Sequence, residues 1–298
     1  MTLLSIVPAD AKLVYQRAGT REIVTARDDG SQPHVIAHGV MPVISPNGRW
    51  VAFATPLRGD ADLKLVRIDG GRSHLLMHHF PACACGPAIP TFKAVWSPDS
   101  RFIVGDDTSD GIPQLIDIER QTRRDLPFAY GGASFSPDVE TIAAPVEDKR
   151  TRIELIAYDL KTRHRRHIGY GDAPAWGAGG VAFAAKAGLK VRHRFDRPAR
   201  LLMPRASDQT YLYGVNWSSS GGRVLAAAGP SPFKLKAFLI SPSSGRIVTL
   251  APTFSEVEAL SRDGRSVLGV TGGNVVRVGC HGHVHTLARH ALSASWTK

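Results

Sequence analysis

Apolar and polar positions alternate in short runs, each bounded by a tight polar turn, and no long stretch follows the 3.6-residue period of a helix. The runs belong to a phrase that returns about every 40 residues. Its clearest copies are Ile44-Ser45-Pro46-Asn47-Gly48-Arg49-Trp50-Val51-Ala52-Phe53, Trp96-Ser97-Pro98-Asp99-Ser100-Arg101-Phe102-Ile103-Val104 and Phe135-Ser136-Pro137-Asp138 running into Thr141-Ile142-Ala143. Weaker copies start at Trp176, Trp217 and Leu260. In each, a bulky residue ends one strand. Ser-Pro-Asp-Gly then predicts a type I turn, with Pro presetting φ and Gly accepting a positive φ after it. A second strand rich in Val, Ile, Ala and Phe follows.

Third strands are predicted at Leu63 to Ile68, Gln114 to Ile118, Ile153 to Tyr158 and Lys236 to Ile240. Polar turns such as Asp159-Leu160-Lys161-Thr162 and Ser243-Ser244-Gly245 lead into short fourth strands, for example Ile247 to Leu250. Four antiparallel strands joined by tight turns make one propeller blade, so the fold class is all-β, a propeller. The phrase Trp/Phe-Ser-Pro-Asp-Gly, an apolar strand and an Asp-x-x-Gly/Thr turn resembles the repeat of TolB-like propellers, also found in propeller domains of prolyl oligopeptidase relatives. The resemblance covers nearly the whole chain and implies fold more than function, because that repeat serves scaffolds, binding proteins and enzyme domains alike. The unit at Trp176 departs from it, with Gly177-Ala178-Gly179-Gly180 in place of Ser-Pro-Asp-Gly.

Six first strands end at Ile44, Trp96, Phe135, Trp176, Trp217 and Leu260. The start of the chain offers three strands without a first: Lys12 to Arg17, Glu22 to Ala26 and Pro33 to Ala37. Its end, Ala291 to Lys298, offers a first strand without successors. Joined, the two fragments make a seventh blade and remove an exposed sheet edge. A seven-bladed ring spanning residues 1–298 as one domain is therefore expected, with six blades as the alternative.

With 43% hydrophobic residues among 298, the chain can build a sizeable core. No run approaches the roughly 18 apolar residues of a membrane helix. Met1 to Ala11 holds a short apolar run, Leu3 to Val7, without a basic leader. A cytoplasmic protein, or one whose export signal has been removed, is expected. Three cysteines, Cys83, Cys85 and Cys280, argue against a disulfide framework.

The motifs for a nucleophile elbow, a zincin and a phosphate loop are missing, so no cofactor is expected. His281, His283 and His285 alternate on a predicted strand, sharing a face on which two histidines could ligate zinc if another ligand arrived. His74, His78, His79, Cys83 and Cys85 cluster before and within a long loop, Phe80 to Thr91. Asp106, Thr108, Asp110, Gly111 and Asp117 partly match a calcium loop, though strands rather than helices flank them.

Charge is the localised feature. Residues 161–205 hold eleven Lys and Arg against two acids, a net +9 of the chain's +11. Arg163, Arg165 and Arg166 fall near the outer hairpin of one blade. Lys190, Arg192, Arg194, Arg197 and Arg200 fall on the outer part of the next. The expected partner is a protein or an anionic macromolecule docking on that side. Nucleic acid is left open without a motif for it. The function read from the sequence is thus a non-enzymatic binding scaffold. The alternative is an enzyme at the mouth of the central channel, a lyase or hydrolase on a small molecule or glycan.

Overall fold

The computed structural model describes residues 13–56, 61–80, 94–106, 112–128, 132–147, 152–218, 220–261 and 263–297. The first strands in chain order are β1 (Leu13–Arg17), β2 (Glu22–Ala26) and β3 (His34–His38). The next blade is β4 (Val40–Ile44), β5 (Trp50–Pro56), β6 (Ala61–Arg67) and β7 (His74–Phe80). Then come β8 (Val95–Trp96), β9 (Phe102–Asp106), β10 (Pro113–Asp117) and β11 (Thr122–Asp125). The following blade is β12 (Ser134–Phe135), β13 (Thr141–Glu147), β14 (Ile153–Asp159) and β15 (Arg165–Tyr170). Next are β16 (Asp172–Gly177), β17 (Gly180–Ala185), β18 (Gly188–Arg192) and β19 (Arg200–Pro204). β20 (Tyr211–Trp217), β21 (Val224–Ser231), β22 (Lys234–Ile240) and β23 (Ile247–Phe254) form another. The chain ends with β24 (Glu256–Leu260), β25 (Ser266–Thr271), β26 (Asn274–Gly279), β27 (Val284–Ala288) and β28 (Ala291–Trp296).

These strands form seven four-stranded antiparallel sheets arranged as a ring, and the described residues include no helix. Six sheets are consecutive in sequence. The seventh has the order β28-β1-β2-β3, with Leu13 opposite Trp296 and Tyr15 opposite Ala294. The chain ends therefore close the ring, as the missing and spare strands in the sequence require. First strands of successive blades lie side by side: β28 meets β4, β12 meets β16, β16 meets β20, and β24 meets β28. They line the axis, and each blade's fourth strand lies at the rim.

The repeated phrase folds as a hydrogen-bonded cage. The buried Ser97 hydroxyl donates to Asp99 Oδ1 (2.5 Å) and accepts from the Phe102 amide (2.8 Å), while Asp99 Oδ1 accepts from the Arg101 amide (3.1 Å). Ser45, Ser136 and Ser261 repeat it with Asn47, Asp138 and Asp263. The residue after the cage acid or amide has φ near 65°: Gly48 (67°), Ser100 (65°), Val139 (64°) and Gly264 (71°). A turn that needs the left-handed region explains why the phrase ends in glycine.

The departing unit has its own reason. Trp176 stands opposite Val181 and Gly177 opposite Gly180, so Ala178 and Gly179 form a two-residue hairpin loop. A Cβ on Gly177 would come within 2.5 Å of the Trp217 ring, as would one on Gly179. The glycines let the indole of the next blade lie flat on the hairpin. The Trp217 Nε1 donates to Ala175 O (2.9 Å), and Trp96 Nε1 donates to Val43 O (3.1 Å), so these two first-strand tryptophans brace their blades to the preceding ones.

Candidate functional site

An innermost strand has no partner on its axial side, so its amides there need acceptors. Side chains of the neighbouring blade supply them. Ser134 Oγ accepts from the Trp176 amide (2.8 Å), Glu258 Oε1 from the Ala294 amide (3.1 Å) and Ser295 Oγ from the Ile44 amide (3.3 Å). The channel lining thus carries polar groups that first serve closure.

The start of the first strands gathers a second set. Asp172, which opens β16, is exposed to water yet ringed by protein; this desolvation raises its carboxyl above the usual range, while the Arg205 charge pulls it down. Tyr213 is likewise raised, first by burial, then by Tyr211 and Glu256. The rings of Tyr211 and Tyr213 sit edge to face, 6.2 Å apart. Sequence reasoning missed both pairs, because Asp172 at the start of β16 meets the charge of Arg205 just after β19, and Tyr213 on β20 that of Glu256 on β24, each across a long stretch of chain.

The predicted cations occupy the outer parts of two neighbouring blades. Arg163 sits in the β14–β15 turn, Arg165 and Arg166 on β15, Lys190 and Arg192 on β18, Arg194 and Arg197 in the link after it, and Arg200 on β19. They are not equivalent. Arg192 donates to Ile168 O (2.6 Å) on the neighbouring blade and to Phe195 O (2.7 Å). Arg200 donates to Pro242 O of the blade beyond. Both are struts between blades. Arg166 lies 4.6 Å over the Phe195 ring. Arg194 pairs with Asp196 (3.1 Å), both well exposed, a geometry of small energetic weight. Lys190 is half-buried, and Arg163 and Arg197 are exposed.

A groove separates the β8–β11 blade from the β12–β15 blade. One part, about 560 Å³, has Phe102, Leu115, Val139 and Leu160 among its lining residues, together with Arg120, Arg123, Arg124 and Lys161. A second part, about 440 Å³, continues past Arg124 to Arg163 and Arg165. Two guanidinium groups span the seam: Arg124 donates to Leu160 O (3.1 Å) and Arg165 to Pro127 O (2.6 Å). In the sequence Arg120 reads only as part of a polar turn, Glu119-Arg120-Gln121-Thr122, and Arg123 and Arg124 are passed over. Three exposed arginines within five residues, Arg120 in the turn and Arg123 and Arg124 on the edge strand β11 after it, were the signal available.

The metal-ligand readings fare differently. β27 begins at Val284, so His281 and His283 lie in the turn before it, around Gly282 at φ 84°, and only His285 is on the strand. The expected shared face is corrected: a tight turn, not a strand, carries the first two. His78 Nδ1 meets Asp62 Oδ1 at 3.0 Å. Cys83, Cys85, the side chains of His79 and Asp106, and residues 107–111 lie outside the described residues. Asp117, the last position of the calcium-like loop, is committed elsewhere. It accepts from Arg101 Nη2 (2.6 Å) and from the Glu119 and Arg120 amides (3.1 Å each), which holds its carboxyl below the usual range. Among the described residues no three His, Cys, Asp or Glu side chains are placed to share an ion, and no helix is long and apolar enough to cross a membrane.

No protein-family profile and no curated protein matches the sequence. Solved structures do match. An oligogalacturonate lyase in complex with manganese is similar over 95% of this chain and 86% of its own, with a TM-score of 0.63 at 17% identity. TolB from Acinetobacter baumannii is similar over 99% of this chain and 69% of its own, TM-score 0.61 at 14% identity. The β-propeller domain of a trilobed protease from Pyrococcus furiosus gives 0.63 at 12% identity, over 95% and 96%. At these identities the likeness is one of fold.

Proposed function

Starting from a TolB-like seven-bladed propeller fold, we propose that residues 1–298 act as one non-enzymatic binding domain whose partner is anionic and docks on the outer side of the β12–β15 and β16–β19 blades. One observation carries this reading. Arg163 and Arg197 are exposed, and among the described residues Arg194 has only an exposed carboxylate against it, so these cations on adjacent blades keep donors for a partner. Arg165 and Arg166 extend the same side. Codon bias would spread arginine along the chain rather than concentrate it.

Arg163→Glu, Arg194→Glu and Arg197→Glu in one variant spare the interblade struts Arg192 and Arg200. The variant should keep its β circular-dichroism spectrum and leave heparin at clearly lower salt than wild type. Identical elution of the two proteins at every salt concentration would remove the reading.

The enzyme alternative is favoured by one observation, the Asp172 carboxyl at the start of the innermost strand β16, desolvated and within the field of Arg205. Incubation with acidic oligosaccharides, with Asp172→Asn as control, tests it: chain cleavage that the variant abolishes supports an enzyme, and no cleavage opposes one.

A further inference from the structure

We infer that the groove between the β8–β11 and β12–β15 blades is the docking site for an acidic peptide segment of a protein partner, anchored by an apolar side chain. The inference rests on the anionic-partner reading and names the partner class and the place.

The groove has two chemistries in register. Phe102, Leu115, Val139 and Leu160 supply apolar surface, and Leu160 and Val139 are only partly covered by the core beneath. Arg120, Arg123 and Lys161 stand beside it, exposed. Such a site suits a chain that offers carboxylates on either side of one apolar residue, with the anchor excluding water from part of the charge contact. Its volume is that of a cleft for a short segment rather than of a domain interface.

The lining carries seven cations against four acids. Asp117 is held by Arg101, and Asp159 accepts from the amides of Lys161 (3.0 Å) and Thr162 (2.7 Å). Asp125 accepts from Gln114 Nε2 (3.1 Å), which leaves Glu140 as the one lining carboxylate bonded to nothing else among the described residues. Arg124 and Arg165 each use a donor on a carbonyl across the seam, and a guanidinium has five, so both present further N–H groups from fixed positions. Fixing them in advance lowers the ordering entropy of binding. A nucleic acid would want open aromatic faces on which bases stack. Of the two aromatic rings that line this groove, Phe102 has the Arg101 guanidinium 4.8 Å over it, and Tyr158 is buried edge-on against Phe128.

Fluorescence anisotropy with a short fluorescein-labelled peptide of Asp and Glu around a central Leu tests the proposal. Wild type should bind it at least tenfold more tightly than the same peptide with Ser replacing Leu. Arg120→Glu with Arg123→Glu should weaken the Leu peptide by at least tenfold, with the circular-dichroism spectrum unchanged. Equal affinity for both peptides, an unaffected variant, or tighter binding of a single-stranded oligonucleotide of matched charge would each overturn it. Heparin separates the two readings. If Arg163→Glu/Arg194→Glu/Arg197→Glu weakens heparin retention while Arg120→Glu/Arg123→Glu leaves peptide binding intact, the basic side stands and the groove falls. If neither variant differs from wild type, both fall.

Discussion

Three tryptophans near the ends of first strands are all buried but bonded differently, and this difference sets their response to truncation. Trp96 and Trp217 donate their indole N–H to a carbonyl of the preceding blade at 3.1 and 2.9 Å. Trp296, on the closing strand opposite Leu13, is 8% exposed, and its Nε1 is buried with no acceptor among the described residues. Replacing each by Phe removes a similar volume, which costs about 1–2 kcal/mol in a packed core. At Trp217 the change also removes a hydrogen bond and leaves Ala175 O short of a donor, adding about 1–2 kcal/mol. At Trp296 it removes a buried unpaired donor, which returns about 1–3 kcal/mol. Trp96→Phe and Trp217→Phe should therefore destabilise by about 3 kcal/mol, and Trp296→Phe by close to zero. At about 2 °C per kcal/mol for a chain of this size, melting midpoints should separate by roughly 4–6 °C. Thermal melts followed by circular dichroism, with urea midpoints as a second probe, measure it. If Trp296→Phe falls as far as Trp217→Phe, the unpaired indole is not a feature of the folded protein and the argument fails.

Removing residues 291–298 takes away β28 and bares the β1 edge, so the melting midpoint should drop by many degrees and the protein should aggregate on warming; an unchanged midpoint would contradict closure by the chain ends. Val139 holds φ 64° where Gly48 and Gly264 stand in sister turns, so Val139→Gly should stabilise by about 0.5–1 kcal/mol after the loss of its partial burial, whereas a lower urea midpoint would show that its packing outweighs the strain. Asp117 has its carboxyl lowered by Arg101 from an ordinary 3.8, so its contribution is present above that value and is lost as pH falls through the lower folded value. Asp117→Asn should thus destabilise at pH 7, with the gap to wild type narrowing as pH falls below 3.8; a constant gap on acidification would exclude the charge as the cause.

Much of the fold was legible in the sequence because a propeller writes it locally. The Ser-Pro-Asp-Gly cage satisfies its own donors and acceptors within about five residues, so Ser45, Ser97, Ser136 and Ser261 mark turns wherever they occur. Ring closure was legible for a simpler reason: a four-strand unit with one strand missing at one end and spare at the other has one economical solution. The Gly177–Gly180 departure was visible but unexplained, since its cause is an indole forty residues on in sequence.

The tertiary structure decided the candidate site. Composition counted Arg163, Arg192 and Arg200 alike as surface charge, but a guanidinium becomes a strut or a free cation according to which carbonyls the next blade brings within reach. His281 and His283 kept the alternation of a strand while the backbone turned beneath them at Gly282. The groove beside Arg120 and Arg123 exists only between two blades, and Asp172 at the start of β16 meets the charge of Arg205 just after β19 only because the blade folds back on itself. Hydrophobic pattern and turn chemistry act over a few residues and survive in sequence. Which charges remain free is a property of neighbours distant in the chain, and folding alone assigns them.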